Sequence, residues 1–371
     1  MRHTETSMKH FQMLTAHVTL ARTARLTPLA LLASSLLIGV AATPSAHAAP
    51  VKLMTEEAMV ASPQPGIRIY VRNKHPAYKT IYDAAHTLVF VHGATYPAST
   101  SFDLELNGMS WMDEIARHGY DVYLLDLPGY GHSTRPAAMD GPADAGTPVE
   151  TTAQAVADYG AVVDWVLARR HLSQLDAMGW SWGTTIAGGY AAEHPEKIKR
   201  LVLYAPVWLS HEKPPTGDEA RLGAYRRVTI EQAKERWYRG VPEDKRAELI
   251  PPGWFDTWQK ATWATDPKAA SSKPPALRAP NGVTHDIRAY YMSGKATYDP
   301  GKITAPTLLI QGQWDQDTPP YMSQALFPLL TAAPWKQYDM IGEGTHTVLM
   351  EKNRLQLFDA VQNFLDEPSP R

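Results

Sequence analysis

The sequence predicts an α/β fold whose central sheet is mostly parallel. Short runs at residues 87–91, 122–126, 201–205 and 307–311 are apolar and show no alternation with polar residues. Such runs are typical of strands that are buried on both faces. Helical patterns separate the runs, and this alternation of strand and helix indicates a parallel sheet with helices on its faces.

The helical patterns have recognisable ends. Residues 151–170 carry apolar side chains at helical spacing, begin with two threonines that can cap the first turn, and end in two arginines. Positive charge is favourable at the carboxyl end of a helix. We expect a second helix over residues 181–194, stopped by Pro195, and a last helix over residues 351–366.

Residues 206–300 interrupt this alternation. The segment is rich in Pro, Trp, Tyr and Arg and contains no strong strand pattern. We interpret it as a helical insertion that covers one end of the sheet. The alternative is a surface excursion that packs its aromatic side chains internally. The α/β core is then formed by residues 49–205 and 301–371.

Composition narrows the possible chemistry. The chain has no cysteine, which excludes a thiol nucleophile, cysteine-bound zinc and iron–sulfur clusters. The 36 Lys and Arg residues nearly balance the 38 Asp and Glu residues, so no electrostatic feature favours binding to nucleic acid. No His-Glu-x-x-His motif occurs. We expect a protein that uses neither a metal nor a cofactor.

Residues 1–48 have the features of an export signal. Arg22 and Arg25 precede an apolar run over residues 26–42, and Ala-His-Ala follows at residues 46–48 as a cleavage-like site. The run is shorter than the roughly 20 residues that a transmembrane helix needs. A transmembrane anchor and a buried helix are the alternatives. We expect a mature protein in the periplasm or the medium, without stable membrane association.

The sharpest catalytic signal is Gly-Trp-Ser-Trp-Gly at residues 179–183. It follows the strand-like run 175–178 and precedes a predicted helix, which is the context of a nucleophile elbow. The tight turn needs small flanking residues, pushes the serine out of the sheet, and points helix N–H groups at developing negative charge. Ser181 is the candidate nucleophile. The alternative is a structural turn with an idle serine.

A serine nucleophile needs a general base and a carboxylate that orients this base. His346 lies in a glycine-rich loop between the strand-like run 335–341 and the last predicted helix, and it is the candidate base. Asp315 and Asp317 both follow the predicted strand 307–311. We assign the orienting carboxylate to Asp315 and expect Asp317 to brace the loop or cap a helix.

The tetrahedral intermediate of acyl transfer needs N–H donors for its oxyanion. One candidate is the N–H of Trp182, which follows the nucleophile, and the other comes from a loop after an early strand. His92, Gly93 and Ala94 form such a loop after the run 87–91. Because Gly93 lets the backbone approach a substrate, the N–H of Ala94 is the second candidate. We expect His92 to brace the loop.

Five motifs together resemble those of α/β-hydrolases that carry a cap. They are Val-His-Gly at 91–93, Asp-Leu-Pro-Gly-Tyr-Gly-His-Ser at 126–133, Gly-Trp-Ser-Trp-Gly at 179–183, Gly-Gln-Trp-Asp at 312–315 and Gly-Thr-His at 344–346. The resemblance covers about residues 67–366. It implies an α/β-hydrolase fold with a sheet of the eight-stranded type, and a helical cap between the sixth and seventh strands.

The same resemblance implies a serine hydrolase. It supports Ser181, Asp315 and His346 as the catalytic triad, and the N–H groups of Ala94 and Trp182 as the oxyanion donors. We predict hydrolysis of carboxylic esters of small molecules. The alternatives on the same triad are lactones, amides, thioesters and carbon–carbon bonds. An alternative of another class is a binding module without catalytic activity.

Aromatic residues near the motifs indicate a pocket for a bulky or aromatic acyl or alcohol group. The candidates for substrate binding are Tyr96, Trp180 and Trp208. For Trp180 the alternative is packing into the sheet. Five arginines of residues 206–300 either bind a substrate carboxylate or lie on the solvated surface. They are Arg221, Arg226, Arg227, Arg236 and Arg239.

Overall fold

The computed structural model describes residues 51–217 and 221–368. The predicted export signal over residues 1–48 lies outside these ranges. Within them, eight strands form one large sheet and two strands form a small one. In chain order the strands are β1 (Leu53–Ala61), β2 (Arg68–Pro76), β3 (Thr87–Val91), β4 (Asp121–Asp126), β5 (Leu175–Trp180), β6 (Ile198–Tyr204), β7 (Tyr225–Thr229), β8 (Ala276–Pro280), β9 (Thr307–Gly312) and β10 (Lys336–Ile341).

The large sheet has the order β1-β2-β4-β3-β5-β6-β9-β10. Strand β2 pairs antiparallel with β1 and β4, and all other pairs are parallel. The chain runs from β3 to its neighbour β4 and then crosses back to β5 on the other side of β3. At such a reversal the loops after the two flanking strands separate and form a crevice at the carboxyl edge of the sheet. The loops after β3 and β5 meet there.

Nine helices occur in the described ranges, and none of them is long and apolar enough to cross a membrane. In chain order they are α1 (Trp111–Arg117), α2 (Thr152–Arg170), α3 (Trp182–Glu193), α4 (Ile230–Trp237), α5 (Arg246–Leu249), α6 (Trp254–Ala264), α7 (Gly282–Ala289), α8 (Pro320–Leu326) and α9 (Arg354–Asp366). On one face of the sheet, Val163 of α2 and Ile186 of α3 pack in the same cluster as Val89. On the other face, Phe358 of α9 packs in the cluster of Phe90.

The predicted α/β fold with a mostly parallel eight-stranded sheet is confirmed. The four predicted apolar runs correspond to β3, β4, β6 and β9, and the strand-like runs before the serine and histidine motifs correspond to β5 and β10. All residues of β3 are buried. Leu88 and Phe90 face one apolar cluster and Val89 and Val91 face the other, as expected of a strand that is covered on both faces.

The sequence does not predict β1 and β2. Strand β2 contains five polar residues, yet most of the strand is buried. The ammonium group of Lys74 is buried because Asp103 and Asp113 accept hydrogen bonds from it at 2.6 and 2.7 Å. A buried charge is tolerated where it is paired. The partners that make this strand possible lie in a later segment, so the strand's own pattern does not reveal it.

The predicted helices form with small shifts at their ends. Thr151 caps α2, and Gln154 completes a reciprocal capping box. The helix predicted from Ser181 begins one residue later, at Trp182, because the serine backbone has φ 56° and ψ −122°, outside the helical region. The last helix begins at Arg354, after a short 3₁₀ turn.

Residues 206–300, which we call the insertion, lie between β6 and β9, the sixth and seventh strands of the large sheet along the chain. The insertion contains α4 to α7. It also contains β7 and β8, which pair antiparallel, although the sequence of this segment shows no strong strand pattern. Arginines in both strands obscure the strand pattern. Arg278 in β8 is buried because Asp266 binds its guanidinium group at 2.6 Å.

Candidate active site

Ser181 occupies the sharp turn between β5 and α3. Its φ of 56° and ψ of −122° are rare for a residue with a side chain. Two backbone hydrogen bonds hold the turn. The N–H of Ser181 donates to the carbonyl of Tyr204 at 2.9 Å, and the N–H of Thr184 donates to the carbonyl of Ser181 at 2.8 Å. A strained strand-to-helix turn of this kind is what a nucleophile elbow requires.

Glycines are needed on both sides of this turn. A Cβ on Gly179 would lie 2.2 Å from the carbonyl oxygen of Gly183, and a Cβ on Gly183 would lie 2.5 Å from the carbonyl oxygen of Val91. The loop after β3 is equally close, because a Cβ on Gly93 would lie 2.7 Å from the Cβ of Ser181. The missing side chains therefore let the loops after β3 and β5 touch through their backbones.

His346 and Asp315 form a buried pair. Nδ1 of His346 lies 2.8 Å from Oδ2 of Asp315, whose side chain is fully buried. The carboxylate of Asp315 also accepts hydrogen bonds from the N–H groups of Asp317 and Thr318 at 2.9 and 2.8 Å, and from the Thr318 hydroxyl at 2.8 Å. The carboxylate keeps the proton of His346 on Nδ1, so Nε2 carries a free lone pair. Within the described part of the chain this buried Nε2 has no hydrogen-bond partner.

A narrow cavity joins Ser181 to His346. About 10 Å³ of it can hold the centre of a water molecule, which is close to the space that one water needs. Its walls come from loops of the core and from α4 and α6 of the insertion, so the insertion closes one side of the space beside Ser181. The lining residues are Gly93, Ala94, Tyr96, Trp180, Ser181, Ala233, Arg236, Trp237, Trp258, His346 and Thr347.

The two predicted oxyanion donors lie on the loops that touch. Ala94 follows β3 and lines the cavity. Trp182 is the first residue of α3, so its N–H has no acceptor within the helix. His92 braces the loop, as the sequence predicts. Its Nε2 accepts from the N–H of Leu127 at 3.0 Å, so Nδ1 carries the proton and donates to the carbonyl of Gly93 at 2.7 Å.

The structure brings two of the three predicted substrate-binding residues to the cavity. Tyr96 and Trp180 line it, and Trp180 also packs into the sheet, stacked on Tyr204 with 5.9 Å between ring centroids. The predicted placement of Trp208 is wrong. Its ring is buried against Tyr298, with 5.5 Å between centroids, in the apolar cluster on the α2 and α3 face of the sheet. The loop after β6 turns this side chain away from Ser181.

The insertion supplies aromatic cavity residues that the sequence does not single out, together with Arg236, one of the five arginines named above. Trp237 and Trp258 meet edge to face, with 5.0 Å between ring centroids, and Tyr96 meets Trp258 in the same way at 4.8 Å. Arg236 stands beside them in the wall. The only signal for this aromatic wall is the high tryptophan content of the insertion, which does not reveal which rings face Ser181.

Glu351 joins the insertion to the histidine loop. Its side chain is fully buried. The carboxylate accepts hydrogen bonds from Nε1 of Trp237 at 2.9 Å, from the N–H of Thr345 at 3.0 Å and from the Thr345 hydroxyl. Burial raises the pKa of Glu351 to about 7. Because Thr345 precedes His346, one carboxylate positions both the histidine loop and an aromatic wall of the cavity.

Asp317 braces its loop, which is one of its two predicted roles, and does so by pairing with the insertion. Its carboxylate accepts from Nε of Arg236 at 2.6 Å and from Nη1 of Arg239 at 2.8 Å. Helix α8 follows Pro319 and has no side-chain cap. Burial alone would raise the pKa of Asp317, but the charges of Arg236 and Arg239 hold it below its ordinary value. Asp317 thus ties the insertion to the loop of Asp315.

The topology and the strained serine turn after β5 are those of hydrolases built on an α/β sheet. Residues 86–352 match the family described as alpha/beta hydrolase fold. The match covers more than half of the chain, and the protein belongs to this family, as its motifs predict. In residues 51–217 and 221–368, no group of three or more His, Asp or Glu side chains is arranged to hold a metal ion.

Comparisons with known proteins agree with this family. The chain is 31% identical over 125 residues to pimeloyl-[acyl-carrier protein] methyl ester esterase of Salmonella heidelberg (strain SL476). The aligned region covers 32% of this chain and 41% of that protein, so the chain spans about two fifths of the length of this curated relative.

Two solved structures show the same fold. A thermophilic esterase from Thermogutta terrifontis aligns with a TM-score of 0.52 and 16% identity, over 84% of this chain and 98% of that one. The 2-hydroxy-6-oxo-6-phenylhexa-2,4-dienoate hydrolase from Rhodococcus sp. strain RHA1 aligns with a TM-score of 0.57 and 15% identity, over 85% of this chain and 100% of that one. At these identities the likeness concerns the fold alone.

Replacing Glu351 by Gln should lower stability in a pH-dependent way. Gln keeps one acceptor oxygen but replaces the other by an amide nitrogen that cannot accept, so at least one of the hydrogen bonds from Trp237 and Thr345 is lost, and we expect a loss of about 1–3 kcal/mol at pH 5. Folding raises the pKa of Glu351 from 4.5 to about 7. The wild-type protein therefore loses stability as the pH rises through this window, by up to about 3 kcal/mol.

The difference in free energy of unfolding between wild type and Glu351→Gln should consequently shrink from pH 5 to pH 8. The measurement is urea unfolding of both proteins at the two pH values. Glu343→Gln is the matched control, because Glu343 lies in the same loop and its carboxylate is exposed and paired with Lys352. A difference between wild type and Glu351→Gln that is constant or grows with pH would contradict the assignment.

Proposed function

We propose that the protein hydrolyses carboxylic esters through an acyl-enzyme on Ser181. The proposal rests on one observation: Ser181 and His346 line the same narrow cavity, and His346 lies 2.8 Å from the buried Asp315. This arrangement supplies a nucleophile, a base beside it and a carboxylate that orients the base, which are the three groups that acyl transfer by a serine needs. The methyl ester esterase among the curated relatives supports an ester substrate.

The first half of the reaction forms the acyl-enzyme. Oγ of Ser181 attacks the ester carbonyl carbon while its proton passes to Nε2 of His346. The N–H groups of Ala94 and Trp182 bind the oxyanion that develops. The bond to the alcohol oxygen then breaks, and the alcohol leaves with the proton from Nε2. Asp315 stabilises the imidazolium and keeps the other proton on Nδ1.

The second half returns the free enzyme. Water gives a proton to Nε2 of His346 and attacks the acyl carbon, and the same two N–H groups bind the second oxyanion. The bond between the acyl carbon and Oγ of Ser181 breaks, Oγ takes the proton back, and the carboxylic acid leaves. Tyr96, Trp237 and Trp258 give the cavity an aromatic wall, which favours an apolar or ring-bearing part of the substrate there.

Ser181→Ala should abolish ester hydrolysis and leave the fold intact. We expect a loss of at least about 10³-fold in kcat, because loss of the nucleophile in another triad enzyme costs more than that. The measurement is turnover of p-nitrophenyl esters of increasing acyl length by purified wild type and variant, with thermal unfolding as the folding check. Ser271→Ala, an exposed serine of the insertion, is the matched control.

Equal turnover in the Ser181→Ala protein would overturn the assignment of the nucleophile. Labelling of Ser181 by a fluorophosphonate without turnover of any ester would retain the nucleophile and reject the ester. Lactones, amides, thioesters and carbon–carbon substrates would then be compared on the same pair of proteins.

The two neighbouring acids should differ sharply when each is replaced by Asn. Asp315→Asn removes the group that orients His346, and an analogous change in another triad enzyme costs about 10⁴ in kcat. Asp317→Asn weakens the ion pairs with Arg236 and Arg239, and we expect a reduction in kcat of less than about tenfold, since Asp315 still orients His346. Steady-state kcat on one ester decides between them, and the reverse ranking would move the orienting role to Asp317.

We further propose that the chain is exported and that residues 1–48 are removed. The charged start, apolar run and small residues before Ala49 support this. Intact-mass analysis of the protein from the periplasm and the medium should give a chain that begins at Ala49, and a chain lacking residues 2–48 should stay in the cytoplasm. Recovery of uncleaved protein in the membrane fraction would favour the transmembrane anchor instead.

A further inference from the structure

We propose that Arg226 and Arg236 of the insertion bind an anionic group of the substrate, so that the preferred ester carries a carboxylate. This inference rests on the proposed ester hydrolysis and adds the chemical class of the ester. Arg226 lies in β7 and Arg236 in α4, and both reach the loop that follows β3.

The two guanidinium groups donate to the same hydroxyl oxygen, that of Thr95 in the loop after β3. Arg226 donates to Oγ1 of Thr95 at 2.6 Å, and Arg236 donates to the same oxygen at 3.4 Å. Thr95 directly follows Ala94, the predicted oxyanion donor, and has a φ of 83°, which holds its backbone in a strained conformation. Two like charges that share a hydroxyl repel each other, so fastening the loop does not by itself account for both.

The charge of Arg226 is not neutralised by an acid. Nε of Arg236 is paired with Asp317 at 2.6 Å. Arg226 donates instead to Thr95 and to the carbonyl of Pro280, and no carboxylate of residues 51–217 or 221–368 forms an ion pair with it within 4.0 Å. Burial and the nearby charge of Arg236 lower the pKa of Arg226, yet a guanidinium stays charged in proteins. An anion placed here would offset both costs.

A groove beside the cavity gives such an anion room. The groove holds about 580 Å³ and is lined by four arginines: Arg226, Arg227, Arg236 and Arg239. Among its described lining residues the one acid is Glu235, which is exposed. Ala94 and Arg236 line both the groove and the cavity of Ser181. An ester whose carbonyl lies at Ser181 can therefore extend past Arg236 and place a carboxylate among the arginines.

Two buried tyrosine hydroxyls lie beside the arginines. The hydroxyl of Tyr96 interacts with Arg236 and that of Tyr130 with Arg226. Burial raises the pKa of both, and the charge of Arg226 opposes this rise in each case. Because a guanidinium only donates hydrogen bonds, each hydroxyl accepts from its arginine and keeps its own proton available to a substrate oxygen.

The test compares matched esters that differ in charge. On the acyl side, p-nitrophenyl pentanoate is compared with the mono-p-nitrophenyl ester of glutaric acid. On the alcohol side, the acetate of methyl 4-hydroxybenzoate is compared with the acetate of 4-hydroxybenzoate. The kcat/KM of each variant is divided by that of wild type on the same ester, so differences in the intrinsic reactivity of the esters cancel. The pair that responds shows whether the carboxylate belongs to the acyl or the alcohol part.

Arg226→Gln should lower kcat/KM for the charged ester about 10- to 100-fold more than for its neutral partner, mainly through KM. Arg226→Lys keeps the charge and should restore part of this preference. Arg246→Gln is the matched control, because it removes an exposed arginine of the insertion that lines neither space. It should leave the ratio between charged and neutral esters unchanged.

Salt provides a measurement that needs no variant. Screening should raise the KM of wild type for the charged ester and leave the KM for the neutral ester nearly constant. Glutarate should also inhibit turnover of the neutral ester more strongly than pentanoate does. These two results support the inference even where Arg226→Gln fails to fold.

The outcomes separate this inference from the proposed function. Turnover of neutral esters that depends on Ser181, with no preference for the charged esters and no effect of salt, would overturn the arginine site and keep the esterase. Failure to turn over any ester would reject the proposed function. Calorimetry with glutarate then decides about the arginines, since binding that Arg226→Lys retains and Arg226→Gln loses supports the site, and the absence of binding overturns it.

Discussion

Close backbone contact between loops at the carboxyl edge of the sheet is the constraint on which the site depends. A Cβ on Gly93 would lie 2.7 Å from the Cβ of Ser181, and a Cβ on Gly312 would lie 2.4 Å from the carbonyl oxygen of Gly344. Gly93 thus lets the loop after β3 touch the turn of Ser181, and Gly312 lets the loop of Asp315 touch the loop of His346. Catalytic groups must be held within about 0.5 Å of a productive geometry. A methyl group at either contact would push the two loops apart by more than this distance. The strand order brings the loops together, and these glycines let them come close enough.

The parts of this arrangement that could be predicted are those whose signals are local. The strands before Ser181 and Asp315 are short and fully buried, the strand before His346 is recognisable by its position after β9, and each candidate catalytic residue follows its strand within a few positions. Parallel strands end at one edge of a sheet, so the three side chains are brought together by topology alone. This is the reason that the triad candidates could be selected without any knowledge of their distances. The reasoning works because the required information is contained in segments of about ten residues.

The parts that could not be predicted depend on partners far along the chain. Strand β2 contains Lys74, whose buried charge is paired with Asp103 and with Asp113 of α1. Glu351 looks like an ordinary acid near the start of a helix, and it becomes a link to the insertion only because Trp237 lies against it in the folded protein. Trp208 follows a strand, as the candidate catalytic residues do, yet its side chain packs in the apolar cluster on the α2 and α3 face of the sheet. A motif fixes where a residue leaves the sheet, whereas tertiary packing decides the direction of its side chain.

Helix α4 contacts three of the loops that carry the proposed catalytic groups. Arg236 donates to Thr95 in the loop after β3 and to Asp317 in the loop after β9, and Trp237 donates to Glu351, which holds the loop after β10. The cavity beside α4 is small, about 10 Å³, and Ala233, Arg236 and Trp237 of this helix form part of its wall. Two of these side chains, those of Arg236 and Trp237, also donate the hydrogen bonds to the loops. The shape of the cavity and the positions of the three loops therefore depend on the same helix, so a change in α4 is felt by the substrate space and by the proposed catalytic groups together.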